Sequence, residues 1–166
     1  MSFQRRTPQL LHEDHQATVA VIEALDQMLE RARKSKPDIN DARVQKALNM
    51  AATAIEDEIS THFSFEEDQL FTLLEEAGDV GIGTHLRSEH KAILPLGKRV
   101  AEQSRAALSS GFTETSWDGF CIIAAELIER MIAHIQKEEM ALLPLLDDVL
   151  DPETDMELST GYANSH

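Results

Sequence analysis

The sequence predicts an all-α fold, an antiparallel up-down-up-down four-helix bundle, and three observations carry that prediction. Apolar residues recur every three or four positions along four long stretches, each closed by Gly, Pro or Ser. Glycine, proline and aromatic residues are sparse (7 Gly, 5 Pro and 5% aromatics in 166 residues), which suits helices better than sheets. One phrase also occurs twice: His62-Phe-Ser-Phe-Glu66-Glu67 with Leu70 and Leu74 behind it, and His134-Ile-Gln-Lys-Glu138-Glu139 with Leu142 and Leu146 behind it. Such a repeat is expected of two helical hairpins related by a pseudo-twofold.

Thr7-Pro8 opens the first helix, with a hydroxyl able to cap it and a proline tolerated in its first turn. Leu10, Leu11, Val19, Ile22, Leu25 and Leu29 continue the pattern until Ser35-Lys36-Pro37 stops it. Asn40 or Asp41 caps the second helix, whose apolar face runs from Val44 through Leu48, Ile55, Ile59, Phe63, Leu70 and Leu74 to a stop at Gly78. The third begins near Thr84, passes His90, Ile93 and Leu96, and ends at Ser109-Ser110-Gly111; Pro95 inside it is expected to kink it. Thr115 or Ser116 caps the fourth, which carries Phe120, Ile123, Leu127, Met131, Ile135 and Leu142, with a bend expected at Pro144. Short connections favour antiparallel neighbours. Residues 1–150 thus read as one bundle domain and 151–166 as a polar, aperiodic and loosely attached tail.

The composition excludes several classes of function. A formal net charge of −15 argues against nucleic acid and anionic membrane as partners, because phosphate binding needs clustered Lys and Arg. No apolar run approaches a membrane span and no secretory leader is visible, so the expected compartment is the cytoplasm. Cys121 is the single cysteine, which leaves nitrogen and oxygen as the only donors for a metal. Cys121 and Trp117 read as packing residues, as do Met28, Met50, Met131 and Met140. Tyr162 becomes a redox candidate only if the tail folds back.

The chemistry lies in the repeat. His followed four residues later by Glu puts an imidazole and a carboxylate one turn apart on one helix face. A single such pair is an ordinary surface interaction contributing about 0.2–0.5 kcal/mol. Two copies, each preceded at nearly equal distance by a lone histidine (Asp14-His15 and Glu89-His90), are hard to obtain by chance. Side chains from four helices whose axes lie roughly 8–10 Å apart can meet at one pair of metal ions. His15, His62, His90 and His134 would be the terminal nitrogen ligands, and Glu66 and Glu138 would bridge the metals. Iron suits this donor set best, with manganese or zinc as compatible alternatives.

The lone His, HFxxEE, EH and HxxxEE with a downstream Leu-Pro resemble the hemerythrin-like, or HHE cation-binding, domain family over about residues 8–150. The resemblance implies a non-haem di-iron centre with an oxo or hydroxo bridge inside a four-helix bundle, with these six residues at the ligand positions. Oxygen-carrying members of the family place two histidines a turn apart on the third helix. Here the positions four before and four after His90 are Leu86 and Leu94. The departure implies an open coordination position and weakens reversible oxygen carriage. It favours handling or sensing of oxygen, nitric oxide, peroxide or iron, by a binding protein or by a di-iron redox enzyme of peroxidase-like or iron-centre-repair type. A metal-free helical interaction module is the bland alternative. A small diatomic ligand or peroxide is the expected partner, and a sensor would need a separate redox or signalling protein. His12 and His85 are candidates for a fifth histidine ligand, and neither the oligomeric state nor the loaded metal is specified.

Overall fold

The computed structural model describes residues 2–32 and 35–165, with the side chains of residues 56–58 outside the description, and every regular element among them is helical. Helix α1 spans Arg6–Arg31. Helix α2 runs over 42–76, α3 over Gly81–Ser110, α4 over 114–149 and α5 over Pro152–Asn164. Two stops are glycines with positive φ, Gly78 at 99° and Gly111 at 74°, a conformation that side chains with a Cβ resist.

Caps show where local sequence decides and where tertiary structure overrides it. Asp41 accepts the backbone N–H of Arg43 at the start of α2, as expected. Thr113, not Thr115 or Ser116, caps α4, and Ser116 returns the hydrogen bond to the Thr113 backbone to close a capping box. Thr7 does not cap α1. The helix starts two residues earlier, after Arg5, and its first N–H groups, from Arg6 and Thr7, donate to the carboxylate of Asp155 at 2.8 Å each.

Asp155 belongs to the segment read from sequence as a loose tail, and that reading is corrected. Pro152–Asn164 is a helix capped by Asp151, and it buries Asp155, Ser159 and Tyr162. Its apolar pattern is too weak to announce a helix, because the buried face is largely polar and is held by hydrogen bonds. Two further expectations are adjusted. Helix α3 starts at Gly81 and continues through Pro95 to Ser110. Met140 is 80% exposed and is not part of the core.

Buried apolar side chains form two clusters. One gathers Val21, Leu25, Leu48, Ile59, Phe63, Ile93, Trp117, Phe120, Leu127 and Met131 among others, with the indole N–H of Trp117 donating to the carbonyl of Ala32. Cys121 packs against this cluster, and burial raises its thiol pKa. The other gathers Leu11, Leu70, Phe71, Leu74, Leu86, Leu142, Leu146 and Tyr162. On each long helix the repeat histidines and glutamates stand between residues of the two clusters. His15 lies between Leu11 and Val21, and His90 between Leu86 and Ile93. A polar layer is therefore sealed on both sides by apolar packing, where an unpaired charge is destabilising by several kcal/mol. No helix among the described residues is long and apolar enough to cross a membrane.

Candidate metal centre

Glu66 and Glu138 are completely buried, and His15, His62, His90 and His134 nearly so. Both glutamates stand at the first residue of a wide π turn, Glu66–Leu70 in α2 and Glu138–Leu142 in α4. A π turn inserts an extra residue into the helical register, and it recurs at functional sites because it re-aims one side chain without ending the helix. Pro144 lies two residues past the second π turn, and the helix continues through it to Val149.

The four imidazoles share one orientation. Every Nε2 faces the two buried carboxylates: His15 lies 2.7 Å from Glu138, His134 3.1 Å from Glu138, His90 3.2 Å from Glu66 and His62 3.4 Å from Glu66. Each glutamate turns one oxygen to each side. Oε1 of Glu138 faces His15 and His62 while Oε2 faces His134 and His90. Oε2 of Glu66 faces His62, and Oε1 faces His90. The donors fall into two groups whose atoms lie within 4.8 Å of one another: Glu66, His90, His134 and Glu138, and then His15, His62 and Glu138.

Every Nδ1 faces outward to another carboxylate. His15 meets Glu139 at 3.2 Å, His62 meets Asp14 at 3.4 Å, His90 meets Glu67 at 3.0 Å and His134 meets Glu89 at 2.8 Å. The outer partners follow the repeat: the second Glu of each HxxxEE faces the lone histidine of the other half, and the acidic residue before each lone histidine faces the HxxxEE histidine of its own half. Sequence reasoning named all six inner residues and assigned no role to Glu67, Glu139, Asp14 and Glu89. The doubled Glu and the acidic residue before each lone His were the available signal.

The charges respond to this crowding. Burial acts to lower the His15 and His90 pKa values, yet the nearby carboxylates of Glu138 and Glu139, and of Glu138 and Glu66, push both up to about 9. His62 and His134 are raised in the same sense. Burial would raise the Glu138 carboxyl, but contacts with Glu66, His134, His15 and His62 hold it well below the usual range. Both oxygens of Glu66, Oε2 of Glu138 and Nε2 of His90 and His134 are buried without a hydrogen-bond partner. Unsatisfied lone pairs converging from imidazole and carboxylate are what a divalent or trivalent cation needs, so the residues fit a metal.

The two spare histidines lie outside this layer. His12 pairs with Glu139 at the surface, and His85, 59% exposed, lies 3.3 Å from Glu89. Leu86 and Leu94, which flank His90, pack into apolar surroundings.

The sequence matches one family model. The hemerythrin HHE cation-binding domain matches residues 7–146. The chain belongs to that family. No curated protein matches it. Membership agrees with the all-helical fold and makes cation binding the family property to which the His/Glu cluster corresponds.

Proposed function

We propose that this hemerythrin-family chain is a non-haem di-iron protein that handles or senses a small ligand of the oxygen, nitric oxide or peroxide class. The observation that carries the reading is the orientation of the two glutamates, each with one oxygen toward either pair of histidines. A carboxylate so placed neutralises and spans two like-charged cations, which a single-metal site does not need. His15 and His62 would hold one iron and His90 and His134 the other, with Glu66 and Glu138 shared. An iron pair would supply redox-active Lewis acids to which a small ligand can bind.

The antiparallel four-helix arrangement belongs to this reading. Gln4 and Arg5, before α1, donate to Asp147 near the end of α4, while Ala32, after α1, accepts from Trp117 near the start of α4. These contacts support opposed directions for α1 and α4, and the same order around α2 and α3 would complete the bundle.

A cavity of about 10 Å³ adjoins His62, His134 and Glu138, walled by Ile59, Phe63, Met131 and Ile135. So small a space, with largely apolar walls, favours a diatomic molecule or peroxide over an organic substrate. Metal analysis with a visible spectrum tests the proposal. Two irons per chain with oxo-to-iron charge-transfer bands are expected, and a fully helical, colourless protein that takes up no iron would overturn it. Adding oxygen to the reduced protein separates the functions: oxidation or turnover is expected, and a stable reversible adduct would point to a carrier.

A further inference from the structure

Helix α5 lies beyond the residues that match the family, and it carries Tyr162 into the outer layer of the metal centre. The tyrosine is 2% exposed, its ring rests on Phe65 at a centroid distance of 4.4 Å, and its hydroxyl donates to Asp14 Oδ2. The same Asp14 oxygen lies 3.4 Å from His62 Nδ1, and the Tyr162 hydroxyl lies 3.3 Å from that nitrogen. Asp155 fixes the other end of α5 to the first turn of α1. The helix is thus fastened at both ends, and its second fastening is made on a histidine of the centre.

The corresponding position on the other side is built differently. Glu89, which supports His134, accepts from Lys137, a half-exposed ammonium on α4 itself, with His85 beside it. A phenol shielded from water holds a carboxylate in one rotamer; a solvated lysine holds it loosely, because water competes. His62 also belongs to the donor group with three members, where the direction of each donor counts for more.

We propose that Tyr162 is a positioning residue for the centre: through Asp14 it fixes the ring of His62 with Nδ1–H outward and Nε2 toward the metal, so that α5 sets the affinity of the His15–His62 position. The inference rests on the metal reading above. Groups that orient a metal-bound histidine typically change affinity 10- to 100-fold when removed.

The test is an anaerobic titration of the full-length metal-free protein with cobalt(II), read by calorimetry and by the visible d–d bands, for wild type, Tyr162→Phe, Asp14→Asn and the double variant. Tyr162→Phe keeps the ring on Phe65 and removes only the hydroxyl. One of the two binding steps is expected to weaken about tenfold, with the other step and the helical content unchanged. Asp14→Asn should weaken the same step, and Tyr162→Phe should add little on that background, since the tyrosine acts through Asp14. Unchanged steps in Tyr162→Phe, equal weakening of both, or full additivity with Asp14→Asn would each overturn the role given to Tyr162. A wild type that binds no cobalt would overturn the metal reading itself, so the two failures are distinct.

Discussion

The His15–His62 half of the centre and the His90–His134 half are written with the same sequence phrases, yet they differ in what stands behind them. On one side Asp14 is held by a buried tyrosine from a helix outside the family match; on the other Glu89 is held by a lysine open to water. The inner donors repeat as imidazole and carboxylate in both halves, as the proposed metal pair would require, whereas the residues behind them differ from one half to the other.

The largest expected effect strikes both halves together. Glu138 turns an oxygen to each pair of histidines, so Glu138→Ala should lose both metals, read as metal per chain after purification; retention of two would show that it does not bridge. Next comes acidity. In the metal-free protein the histidine pKa values raised to about 9 stabilise the fold fully below pH 6.5, the ordinary value, and that contribution is lost as pH rises through about 9. The melting temperature of the metal-free protein should therefore fall between those values. The loaded protein should not follow, because its imidazoles are already deprotonated and bound; it should instead release metal as pH falls and protons compete for nitrogen.

How much of this was legible in the sequence depends on what each feature rests on. Long helices with regular apolar faces were readable because periodicity over thirty residues is a redundant signal, and the six inner residues were readable because they repeat. Helix α5 was not, since its few buried residues, Asp155, Ser159 and Tyr162, are polar and take their meaning from partners about 150 positions away. The cap of α1 failed for the same reason: Asp155 replaces the local Thr7. The π turns at Glu66 and Glu138 were not read from the sequence, since the spacing of apolar residues does not distinguish an i+5 from an i+4 hydrogen bond.

Smaller effects sharpen the contrast between the halves. Glu89→Gln should weaken metal binding at the His90–His134 position by less than Asp14→Asn does at its counterpart, because Lys137 and His85 are solvated; titration of both variants compares them directly. Asp155→Ala should remove the cap of α1 and cost about 1 kcal/mol in urea denaturation. The smallest effect belongs to His12, which pairs with Glu139 outside the inner layer: His12→Ala should leave metal content unchanged.

The central claim is a two-metal cage made by four histidines and two shared glutamates. Iron determination on the anaerobically reconstituted wild-type chain, with Mössbauer spectroscopy after oxidation, tests it most directly. Two irons per chain with the diamagnetic ground state of an antiferromagnetically coupled ferric pair are the predicted result; a single, magnetically isolated iron would contradict it.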